Sequence, residues 1–403
     1  MSERVLIVGA GHAGTTLAGL LRQAGHSGPI ELFGDEMDPP YHRPPLSKKF
    51  TGGELEQWLR PAEFYREQDI TLRLGEQIVA VDRAAGQVRA ASGGSYGYDY
   101  LVLATGARPR PLPVSGVDLE GVVSLRTLAD ARILRQCVAD QHSLAIVGGG
   151  YIGLEVAAVA RRSGVEITVV EREERVLCRI ASPLLSEILC AHHRGQGTRI
   201  VTGAQVTRLD GADGRVRAVV LDDGTKITCD AVLVGVGAVP RDELAAAAGL
   251  HCDQGIVVDE HARTSDPHVL AIGDATRRPL ATRASVRLES IPSATEQARQ
   301  AVATIVGGAA VLPEVPWFWS DQFDLKLKIA GLVPRDADTV VRGNPDNGRF
   351  TLFHHGNGIL DAVESANSPA EFMAGKKFIA SGARIDPERL ADGSIPLRDA
   401  VIH

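Results

Sequence analysis

Two short apolar runs, each followed by a glycine-rich turn and a stretch with helical spacing, organise the first half of the chain. The runs are residues 4–8 and 144–147. After the first turn, leucines recur at the spacing of one helix face within residues 15–24, and residues 154–163 follow the second turn in the same way. Short apolar runs bounded by glycines are typical of buried strands. The pattern therefore predicts two strand–turn–helix units.

The two turns share one glycine spacing, GAGHAG at residues 9–14 and GGGYIG at residues 148–153. In such a turn the pyrophosphate of a dinucleotide lies against backbone N–H groups at a helix N-terminus, where a Cβ would hold it away. Asp35 comes 21 residues after the last glycine of the first turn, and Glu171 comes 18 residues after that of the second. Both spacings are close to the roughly 20 residues expected for a ribose-binding acid. Two dinucleotides held by one chain indicate an electron-transferring flavoprotein.

Three further segments indicate how the domains are arranged. Residues 100–109 and 231–240 each form an apolar strand that ends in a small-residue turn, and residues 268–275 form a shorter strand that ends in Gly-Asp. From about residue 317, aromatic side chains concentrate in a chain that is only 4% aromatic. The first nucleotide domain is thus predicted to be interrupted by the second and resumed after it, with a different domain at the end.

We predict an α/β fold class with two Rossmann-like dinucleotide-binding domains and a C-terminal α+β domain. The first nucleotide domain comprises residues 1–112 and 243–316. The second comprises residues 113–242, and the α+β domain comprises residues 317–403. A length of 403 residues suits this division into two to three domains.

Composition and charge exclude several other classes. The net charge of −7 argues against nucleic acid as the main partner, because the phosphate backbone would be repelled. No apolar stretch approaches the roughly 18 residues of a membrane span, and the N-terminus passes directly into a strand, so we expect a cytoplasmic protein. The five cysteines show no CxxC pattern and no close pair, so we predict neither a disulfide framework nor a metal site.

Several longer strings carry a specific resemblance. They are PYHRPPLSK at 40–48, ATG at 104–106, LRT at 125–127, GGGYIGLE at 148–155, AIGD at 271–274, ESIP at 289–292 and WFWSDQ at 317–322. Through them essentially the whole chain resembles the FAD-dependent, NADH-linked ferredoxin reductases that serve bacterial monooxygenases and aromatic-ring dioxygenases. The resemblance implies a glutathione-reductase-like arrangement of the two nucleotide domains.

The resemblance also implies which residues hold the two nucleotides. FAD, tightly bound, would lie along the first nucleotide domain, with Asp35 at the adenosine ribose and Glu36 as the alternative acid. Its other implied contacts are Gly9, Gly11, His12, Ala13, Gly14, Arg43, Lys48, Ile78, Ala104, Thr105, Gly106, Arg126, Gly273, Asp274, Ile291 and Trp319. NADH, as the substrate, would contact Gly148, Gly150, Tyr151, Ile152, Gly153, Glu171 and Gly237.

Three residues are implied to act in catalysis: Lys48, Tyr151 and Glu155. The resemblance places Tyr151 and Glu155 beside the flavin and the nicotinamide. Tyr151 would be a ring that moves aside as the nicotinamide stacks, and Lys48 paired with Glu155 would fix the charge near the reactive nitrogen of the flavin. The alternative is that Tyr151 only packs the helix and that Glu155 is a solvated helix residue.

Glu171 also bears on the choice of nicotinamide nucleotide. Its carboxylate can accept hydrogen bonds from both ribose hydroxyls of NAD, whereas it would face the 2′-phosphate of NADP. Two like charges about 4 Å apart at an effective dielectric near 20 repel by roughly 4 kcal/mol per charge pair. We therefore expect NADH to be preferred, while Arg172 and Arg175 leave a 2′-phosphate contact open.

The cysteines and arginines indicate the electron acceptor. Disulfide reductases and peroxide-reducing relatives need cysteine near the flavin, and this chain has none before Cys137. It also lacks a four-cysteine cluster motif, so electrons would pass to a separate, acidic two-iron two-sulfur ferredoxin that feeds a haem-thiolate monooxygenase or a ring-hydroxylating dioxygenase. A positive patch for docking could be formed by Arg277, Arg278, Arg283 and Arg287, unless these form an ordinary solvated loop.

Two alternative functions remain open at this point. Rubredoxin reductases share the architecture and differ only in the partner. A flavoprotein of the apoptosis-inducing-factor type would use NADH binding to switch its interactions. That type would carry a basic nucleic-acid surface or a targeting presequence, and the sequence indicates neither.

Overall fold

The computed structural model describes residues 3–139, 142–280 and 283–402, with Arg283 and Ala284 described as backbone only. The first range contains β1 (Val5–Val8), α1 (His12–Gln23), β2 (Ile30–Phe33), α2 (Pro45–Lys48), α3 (Ala62–Glu67), β3 (Ile70–Arg73), β4 (Ile78–Asp82), β5 (Gln87–Ala90), β6 (Ser95–Gly97), β7 (Tyr100–Leu103), β8 (Ala107–Pro109), β9 (Val122–Ser124) and α4 (Leu128–Ala139).

The second range contains β10 (Ser143–Val147), α5 (Tyr151–Arg162), β11 (Glu166–Val170), α6 (Pro183–Gly195), β12 (Arg199–Val201), β13 (Val206–Ala212), β14 (Arg215–Leu221), β15 (Lys226–Thr228), β16 (Ala231–Val234), β17 (Ala238–Pro240), α7 (Glu243–Ala247), β18 (Ile256–Val257), β19 (Val269–Ala271) and β20 (Thr276–Leu280).

The third range contains β21 (Arg283–Val286), α8 (Ile291–Val306), β22 (Trp317–Gln322), β23 (Leu325–Gly331), β24 (Asp338–Asn344), β25 (Arg349–Gly356), β26 (Ile359–Ala366), α9 (Pro369–Ser381), β27 (Arg384–Ile385), α10 (Pro387–Ala391) and β28 (Val401–Ile402). Short 3₁₀ turns occur at Gly273–Ala275, Pro345–Asn347 and Leu397–Ala400. None of the helices in these ranges is long and apolar enough to cross a membrane.

The chain divides into two compact units. Unit 1 comprises Met1–His42, Glu56–Arg108 and Ala238–Glu314. Unit 2 comprises Arg43–Leu55, Pro109–Gly237 and Val315–His403. Each unit contains one of the two glycine-rich turns, so each is described by itself below.

Unit 1 is built on a parallel sheet with the strand order β19-β7-β1-β2-β3. Alternate residues of β1 enter two different cores. Val5 and Ile7 pack with α1 and α8, whereas Leu6 and Val8 pack with residues of the antiparallel strands β4 and β5. A strand covered on both faces can be apolar throughout, which is the physical reason for the continuous run in the sequence.

Unit 2 contains a second parallel sheet, with the order β12-β11-β10-β16-β9. A small antiparallel sheet, β13-β14-β15, packs its apolar side chains with those of β10 and β16. The last part of the chain forms an antiparallel sheet in the order β22-β23-β26-β25-β24, against which α9 packs. The predicted fold class, with two Rossmann-like parallel sheets and a C-terminal α+β part, is confirmed. The predicted domain boundaries stay a prediction.

Candidate functional site

The first glycine-rich turn, in unit 1, uses its three glycines in two ways. Gly9 has φ +115°, and a Cβ there would lie 2.1 Å from the carbonyl oxygen of Ala104. A Cβ on Gly14 would lie 2.1 Å from the carbonyl oxygen of Gly9. A Cβ on Gly11, by contrast, would meet no atom of the described residues within 4 Å. Two glycines therefore permit close backbone packing, while Gly11 borders open space.

The N-terminus of α1 fits the anion that this open space would receive. Gly11 is the N-cap residue, no side chain caps the helix, and the first turn carries no acid. The first N–H groups of a helix have no partner within the helix, and the positive end of the helix dipole lies there. Gly11 and the uncapped helix start together form a cradle that suits an anion such as a pyrophosphate.

A second turn packs against this cradle. Gly273, in the 3₁₀ turn after β19, has φ +80°, and a Cβ on it would lie 3.1 Å from the Cβ of Ala13. Asp274 is carried by the same turn. Thr105 donates its hydroxyl to the carbonyl of Arg241 at 2.6 Å, and the carbonyl of Gly106 accepts from the N–H of Arg241 at 2.9 Å. These bonds join the loop after β7 to the residue that follows β17. This loop and the turn after β19 both lie at the carboxyl edge of the parallel sheet, where such folds bind ligands.

The two candidate ribose acids of unit 1 differ in their partners. Asp35 accepts from Arg241 at 2.7 Å, in a pair whose side chains are both more than 40% exposed. Glu36 accepts from the hydroxyl of Tyr41 at 2.6 Å. Both acids follow β2 directly, so both remain candidates for the adenosine ribose.

Other predicted FAD contacts of unit 1 have varied surroundings. His12 is the first residue of α1, and its Nε2 lies 3.3 Å from Thr295 Oγ1. The Nδ1 of the same ring is buried and has no hydrogen-bond partner among the described residues. Burial, followed by the neighbouring His42, lowers the pKa of His12 to about 4. Ile78 is buried in the core of β4 and β5, and Ile291 is the first residue of α8.

The second glycine-rich turn, in unit 2, repeats the first. Gly148 has φ +110°, and its Cβ would lie 2.4 Å from the carbonyl oxygen of Gly235. A Cβ on Gly153 would lie 2.6 Å from the carbonyl oxygen of Gly148, and a Cβ on Gly150 would meet nothing within 4 Å. Gly150 is the N-cap of α5, again without a side-chain cap. This turn therefore offers the same cradle to a second dinucleotide.

Glu171 is fixed against the second turn by the backbone. One carboxylate oxygen accepts from the N–H of Gly149 at 2.6 Å, and the other accepts from the N–H of Glu173 at 2.9 Å. A Cβ on Gly149 would lie 3.1 Å from that first oxygen. Gly149 thus lets the acid approach the turn, and each oxygen keeps a lone pair for a ribose hydroxyl.

The two arginines after Glu171 are engaged elsewhere in the chain. Arg175 donates to the carbonyls of Ala181 and Cys178 and to the hydroxyl of Ser186, at 2.8 to 3.0 Å. Arg172 pairs with Glu173 at 2.7 Å, and that bond raises the pKa of Arg172.

A buried ion pair lies on the helix that follows the second turn. Glu155, on α5, is 3% exposed and accepts from Lys48 Nζ at 2.5 Å and from Ser320 Oγ at 2.7 Å, both on Oε1. Its Oε2 accepts from Ser47 Oγ at 2.5 Å. Lys48 Nζ also lies 3.2 Å from the half-exposed carboxylate of Asp321. Three distant chain segments, around residues 47, 155 and 320, therefore meet at one carboxylate.

The sequence predicted Lys48 and Glu155 as a pair but missed Ser47, Ser320 and Asp321. The signal was available, because these residues belong to the PLSK and WFWSDQ strings that carry the resemblance. The alternative that Glu155 is a solvated helix residue is wrong, since its carboxylate is enclosed by three donors.

The remaining predicted residues of unit 2 lie around this pair and the turn. The ring of Tyr151, the first residue of α5, contacts that of Phe318 with centroids 5.7 Å apart. Trp319 and Trp317 lie on the other face of β22 from Phe318, and their tilted rings have centroids 5.7 Å apart. Ile152 belongs to the first turn of α5. Arg43 donates to the carbonyl of Arg126 at 2.5 Å, and Gly237, with φ +105°, accepts from the N–H of Arg110 at 2.9 Å.

The predicted arginine patch requires one correction. Arg278 is 3% exposed and forms a two-bond pair with the equally buried Glu296, at 2.7 and 3.0 Å, so it is part of the interior of unit 1 and of no exposed patch. Arg277 pairs with Asp253 at 3.3 Å, and Arg287 pairs with Glu289 at 2.5 Å. The side chain of Arg283 lies outside what the structure describes.

All five cysteines are free. Burial raises the pKa of Cys229 to about 11, so this thiol is unreactive at neutral pH. In the part of the chain that the structure describes, no group of His, Cys, Asp and Glu side chains could hold a metal ion.

Comparison with known proteins agrees with the geometry along the whole chain. The pyridine nucleotide-disulphide oxidoreductase family matches residues 3–298, and the reductase C-terminal family matches residues 317–401. The probable ferredoxin reductase CtmF of Castellaniella defragrans is 47% identical over 399 residues, which cover 97% of each chain.

Two solved structures are similar in fold and sequence. The ferredoxin reductase for the CYP199A2 system from Rhodopseudomonas palustris superimposes with a TM-score of 0.96 at 42% identity and covers 99% of this chain and 100% of that chain. The reductase in the covalent putidaredoxin reductase–putidaredoxin complex gives a TM-score of 0.95 at 40% identity and covers 99% and 98% of the two chains. Membership of this group implies FAD and a nicotinamide nucleotide as the redox pair. The chain belongs to the pyridine nucleotide-disulphide oxidoreductase family and, within it, to the ferredoxin reductases of oxygenase systems.

Proposed function

We propose that this ferredoxin reductase holds FAD tightly on the first glycine-rich turn and binds NADH transiently on the second. The observation that carries the proposal is the repetition of one geometry: a middle glycine that borders open space, at the uncapped N-terminus of a 12-residue helix, in both units. When bound, FAD supplies the ability to accept a hydride and to release electrons one at a time.

In unit 1, FAD would be held mainly by backbone groups. The N–H groups at the start of α1 would receive its pyrophosphate, and Asp35 or Glu36 would receive its ribose. The 3₁₀ turn with Asp274 packs on the same helix, so its carboxylate is our candidate for a ribityl hydroxyl.

In unit 2, NADH would be selected over NADPH by Glu171. The carboxylate is held by two backbone N–H groups, so it cannot easily move away from a 2′-phosphate. Arg175 already donates to two carbonyls of its own loop and to the hydroxyl of Ser186 on α6, so it is poorly placed to compensate for that repulsion.

Replacement of the acid tests this choice. We expect Glu171→Ala to lower the NADH to NADPH ratio of kcat/KM by at least about tenfold, because roughly 4 kcal/mol of repulsion per charge pair is removed. The control is Glu174→Ala, which removes an exposed neighbouring carboxylate and leaves both Glu171 and the Arg172–Glu173 pair. An unchanged ratio in Glu171→Ala would remove Glu171 from the nucleotide site.

We assign catalysis to Lys48, Glu155 and Tyr151. The buried carboxylate of Glu155 holds the Lys48 ammonium in one position, where its positive charge can stabilise the negative charge that hydride transfer delivers. Tyr151 stands at the first position of α5, beside the open turn, so its ring would have to yield space to an incoming nicotinamide.

A ferredoxin accepts the electrons, and we propose that it is an acidic two-iron two-sulfur protein. The solved complex of putidaredoxin reductase with putidaredoxin supports a ferredoxin partner. Of the predicted arginines, Arg277 and Arg287 remain candidates for the contact, each at a partly exposed ion pair. A second cationic surface is available in unit 2, where Lys328 is the cross-strand neighbour of Trp319 and Lys376 lies over the ring of Trp317 at 5.4 Å.

Charge reversal compares these two surfaces. We expect Arg277→Glu with Arg287→Glu to raise the KM for ferredoxin and to flatten its salt dependence while ferricyanide reduction survives. The matched variant is Lys328→Glu with Lys376→Glu. If the KM for ferredoxin rises only in the lysine variant, the arginine assignment is wrong. If the arginine variant loses ferredoxin and ferricyanide reduction equally, the loop that carries these arginines supports the fold instead.

The function as a whole is tested with the purified yellow protein. NADH-driven cytochrome c reduction should depend on an added ferredoxin and should saturate with it. Dependence on rubredoxin instead would indicate a rubredoxin reductase. No dependence on any small iron–sulfur protein would overturn the proposal.

A further inference from the structure

A buried chain of hydrogen bonds runs from the Lys48–Glu155 pair into the interior of unit 2. Ser320 Oγ donates to Glu155 at 2.7 Å, and Gln322 Nε2 donates to Ser320 Oγ at 3.2 Å. Gln322 Oε1 lies 3.0 Å from His193 Nε2. Glu155, Ser320, Gln322 and His193 are all at most 3% exposed. The chain crosses from α5 through β22 to α6 without contact with solvent.

The direction of every bond in this chain follows from the charge on Glu155. An ionised carboxylate only accepts, so the single hydroxyl proton of Ser320 must point to it. The oxygen of Ser320 must then accept from the amide of Gln322, which turns its own oxygen to His193. His193 therefore carries its proton on Nε2, and its Nδ1 is buried with no hydrogen-bond partner among the described residues. Burial lowers the pKa of His193 to about 4, in agreement with a neutral ring.

The side chains of β22 alternate between its two faces, and the two faces contact different groups. Ser320 and Gln322 point to one face, towards Glu155 and His193, while Trp319 and Asp321 point to the other. Asp321 lies 3.2 Å from Lys48 Nζ and offers it a competing carboxylate. Without the hydrogen bond from Ser320, the ionised form of Glu155 would be less stabilised relative to the competing carboxylate, although Ser47 would still donate to its other oxygen.

We propose that Ser320 and Gln322 are positioning residues for the reaction: they hold Glu155 as an ionised acceptor for Lys48, and they couple its charge state to His193. This rests on the proposed role of Glu155 in hydride transfer. It gives the C-terminal sheet of the reductase a part in the chemistry.

The charged groups that face Glu155 are few. Lys48 comes from α2, and Asp321, on β22, acts through Lys48. Among the strands packed against α5, β10 has no ionisable residue, and the one on β11, Glu166, is exposed at its first position. The other groups that hydrogen-bond to Glu155, Ser47 and Ser320, are uncharged.

The kinetic test measures the pH dependence of FAD reduction by NADH in rapid mixing. We expect Ser320→Ala to move the acid limb of this pH–rate profile to higher pH by about one unit. The reason is that the ionised carboxylate of Glu155 loses one of the hydrogen bonds that it accepts. The rate at high pH should survive, and Ser320→Thr should restore the wild-type limb. Gln322→Leu should move the acid limb less, and His193→Gln should move it least, because each of these residues lies one hydrogen bond further from Glu155.

A matched control separates positioning from stability. Ser365 is a buried serine of the same sheet, with hydrogen bonds to Thr351 and to the carbonyl of Ser368, and it does not touch Glu155. Ser365→Ala should lower the thermal midpoint and leave the pH profile unchanged. If Ser320→Ala behaves like Ser365→Ala, the proposal is wrong.

A second readout does not depend on turnover. In protein labelled with ¹⁵N-histidine and containing FAD, the Nε2 signal of His193, assigned from His193→Gln, should shift with pH along the kinetic acid limb. In Ser320→Ala and Gln322→Leu the signal should no longer follow that limb, and only the shift from the ring's own protonation near pH 4 should remain. A signal that never follows that limb in the wild type would overturn the coupling to His193. Absence of NADH oxidation by the wild type would instead contradict the proposed function.

Discussion

The two glycine-rich turns are nearly the same in backbone and different in their side chains. In both, the first glycine has φ near +110° and packs on a carbonyl, the last packs on the first, and the middle one borders open space. The fifth residue of α5 is the buried Glu155, whereas the corresponding residue of α1 is the uncharged Thr16. Glu171 is tied to its own turn, while Asp35 is tied to the exposed Arg241.

This difference teaches where function resides in a duplicated fold. The backbone supplies the same anion cradle twice, because it depends only on glycine and on a helix start. The charged centre of unit 2 requires side chains from three segments, and unit 1 has no such cluster on α1. We therefore infer that a turn of this kind predicts nucleotide binding, and that the residues around it decide what the nucleotide does.

The largest expected effect on stability and nucleotide binding comes from substitution of the two glycines with positive φ that pack on a carbonyl. Gly9→Ala and Gly148→Ala each place a Cβ within 2.4 Å of a backbone oxygen at a positive φ, so we expect a cost of at least about 2 kcal/mol in each unit. Gly9→Ala should yield protein with little FAD, whereas Gly148→Ala should stay yellow and fail to saturate with NADH. The FAD to protein absorbance ratio and the rate of flavin bleaching measure the two outcomes. Equal FAD loss in both variants would contradict the assignment of one nucleotide to each turn.

The acid stability of unit 2 should depend on His193. The unfolded chain takes up this proton near pH 6.5 and the folded chain only at about 4, so the free energy of unfolding falls as the pH drops through this window. The loss reaches about 3 kcal/mol for such a shift. His193→Gln keeps a donor for Gln322 and should flatten this dependence in urea titrations between pH 6.5 and 4.5. His251→Gln, at an exposed site in unit 1, is the control, and equal flattening there would make the assignment wrong.

Substitution of the middle glycines, Gly11 and Gly150, should weaken binding of one nucleotide each, with smaller effects than at Gly9 and Gly148. A Cβ at Gly11 or Gly150 meets no atom of the described residues within 4 Å, so the apoproteins of Gly11→Ala and Gly150→Ala should have unchanged thermal midpoints. Gly11→Ala should weaken FAD binding to the apoprotein, and Gly150→Ala should raise the KM for NADH, each by about tenfold, which corresponds to about 1.4 kcal/mol. A KM effect in Gly11→Ala with normal FAD affinity would reverse the assignment.

The smallest effect concerns the exposed acid of unit 1. The pair of Asp35 with Arg241 is more than 40% exposed on both sides, and such pairs contribute about 1 kcal/mol or less. Arg241→Ala should therefore leave stability nearly unchanged. Asp35→Asn should weaken FAD binding if Asp35 holds the ribose, while Glu36→Gln should weaken it if the neighbouring acid does. The dissociation constant of FAD from the two variants decides between them.

Much of the fold could be predicted because its determinants are local. The runs at residues 4–8 and 144–147 are β1 and β10, and the helices after them begin within the glycine-rich turns, at His12 and Tyr151. A strand buried on both faces leaves a continuous apolar run, and a helix that must receive an anion leaves glycines at its start. These signals need no knowledge of distant residues.

The site could be predicted only in part, because its contacts are distant in sequence. Nothing local in WFWSDQ says that Ser320 donates to a carboxylate 165 residues away. The arginine cluster shows the opposite error: Arg278 reads as a surface charge beside Arg277, yet the alternation of β20 turns it inward to Glu296.

The sequence by itself determined two glycine-rich turns at helix starts, the α/β class and, through longer strings, the resemblance to ferredoxin reductases. Only the tertiary structure decided that Glu155 is buried with three donors, that Glu171 is bound to its own turn and that Arg278 is interior. The physical reason is that strand and helix signals follow from spacing along the chain. The ionisation and orientation of a side chain follow instead from the groups that folding places around it.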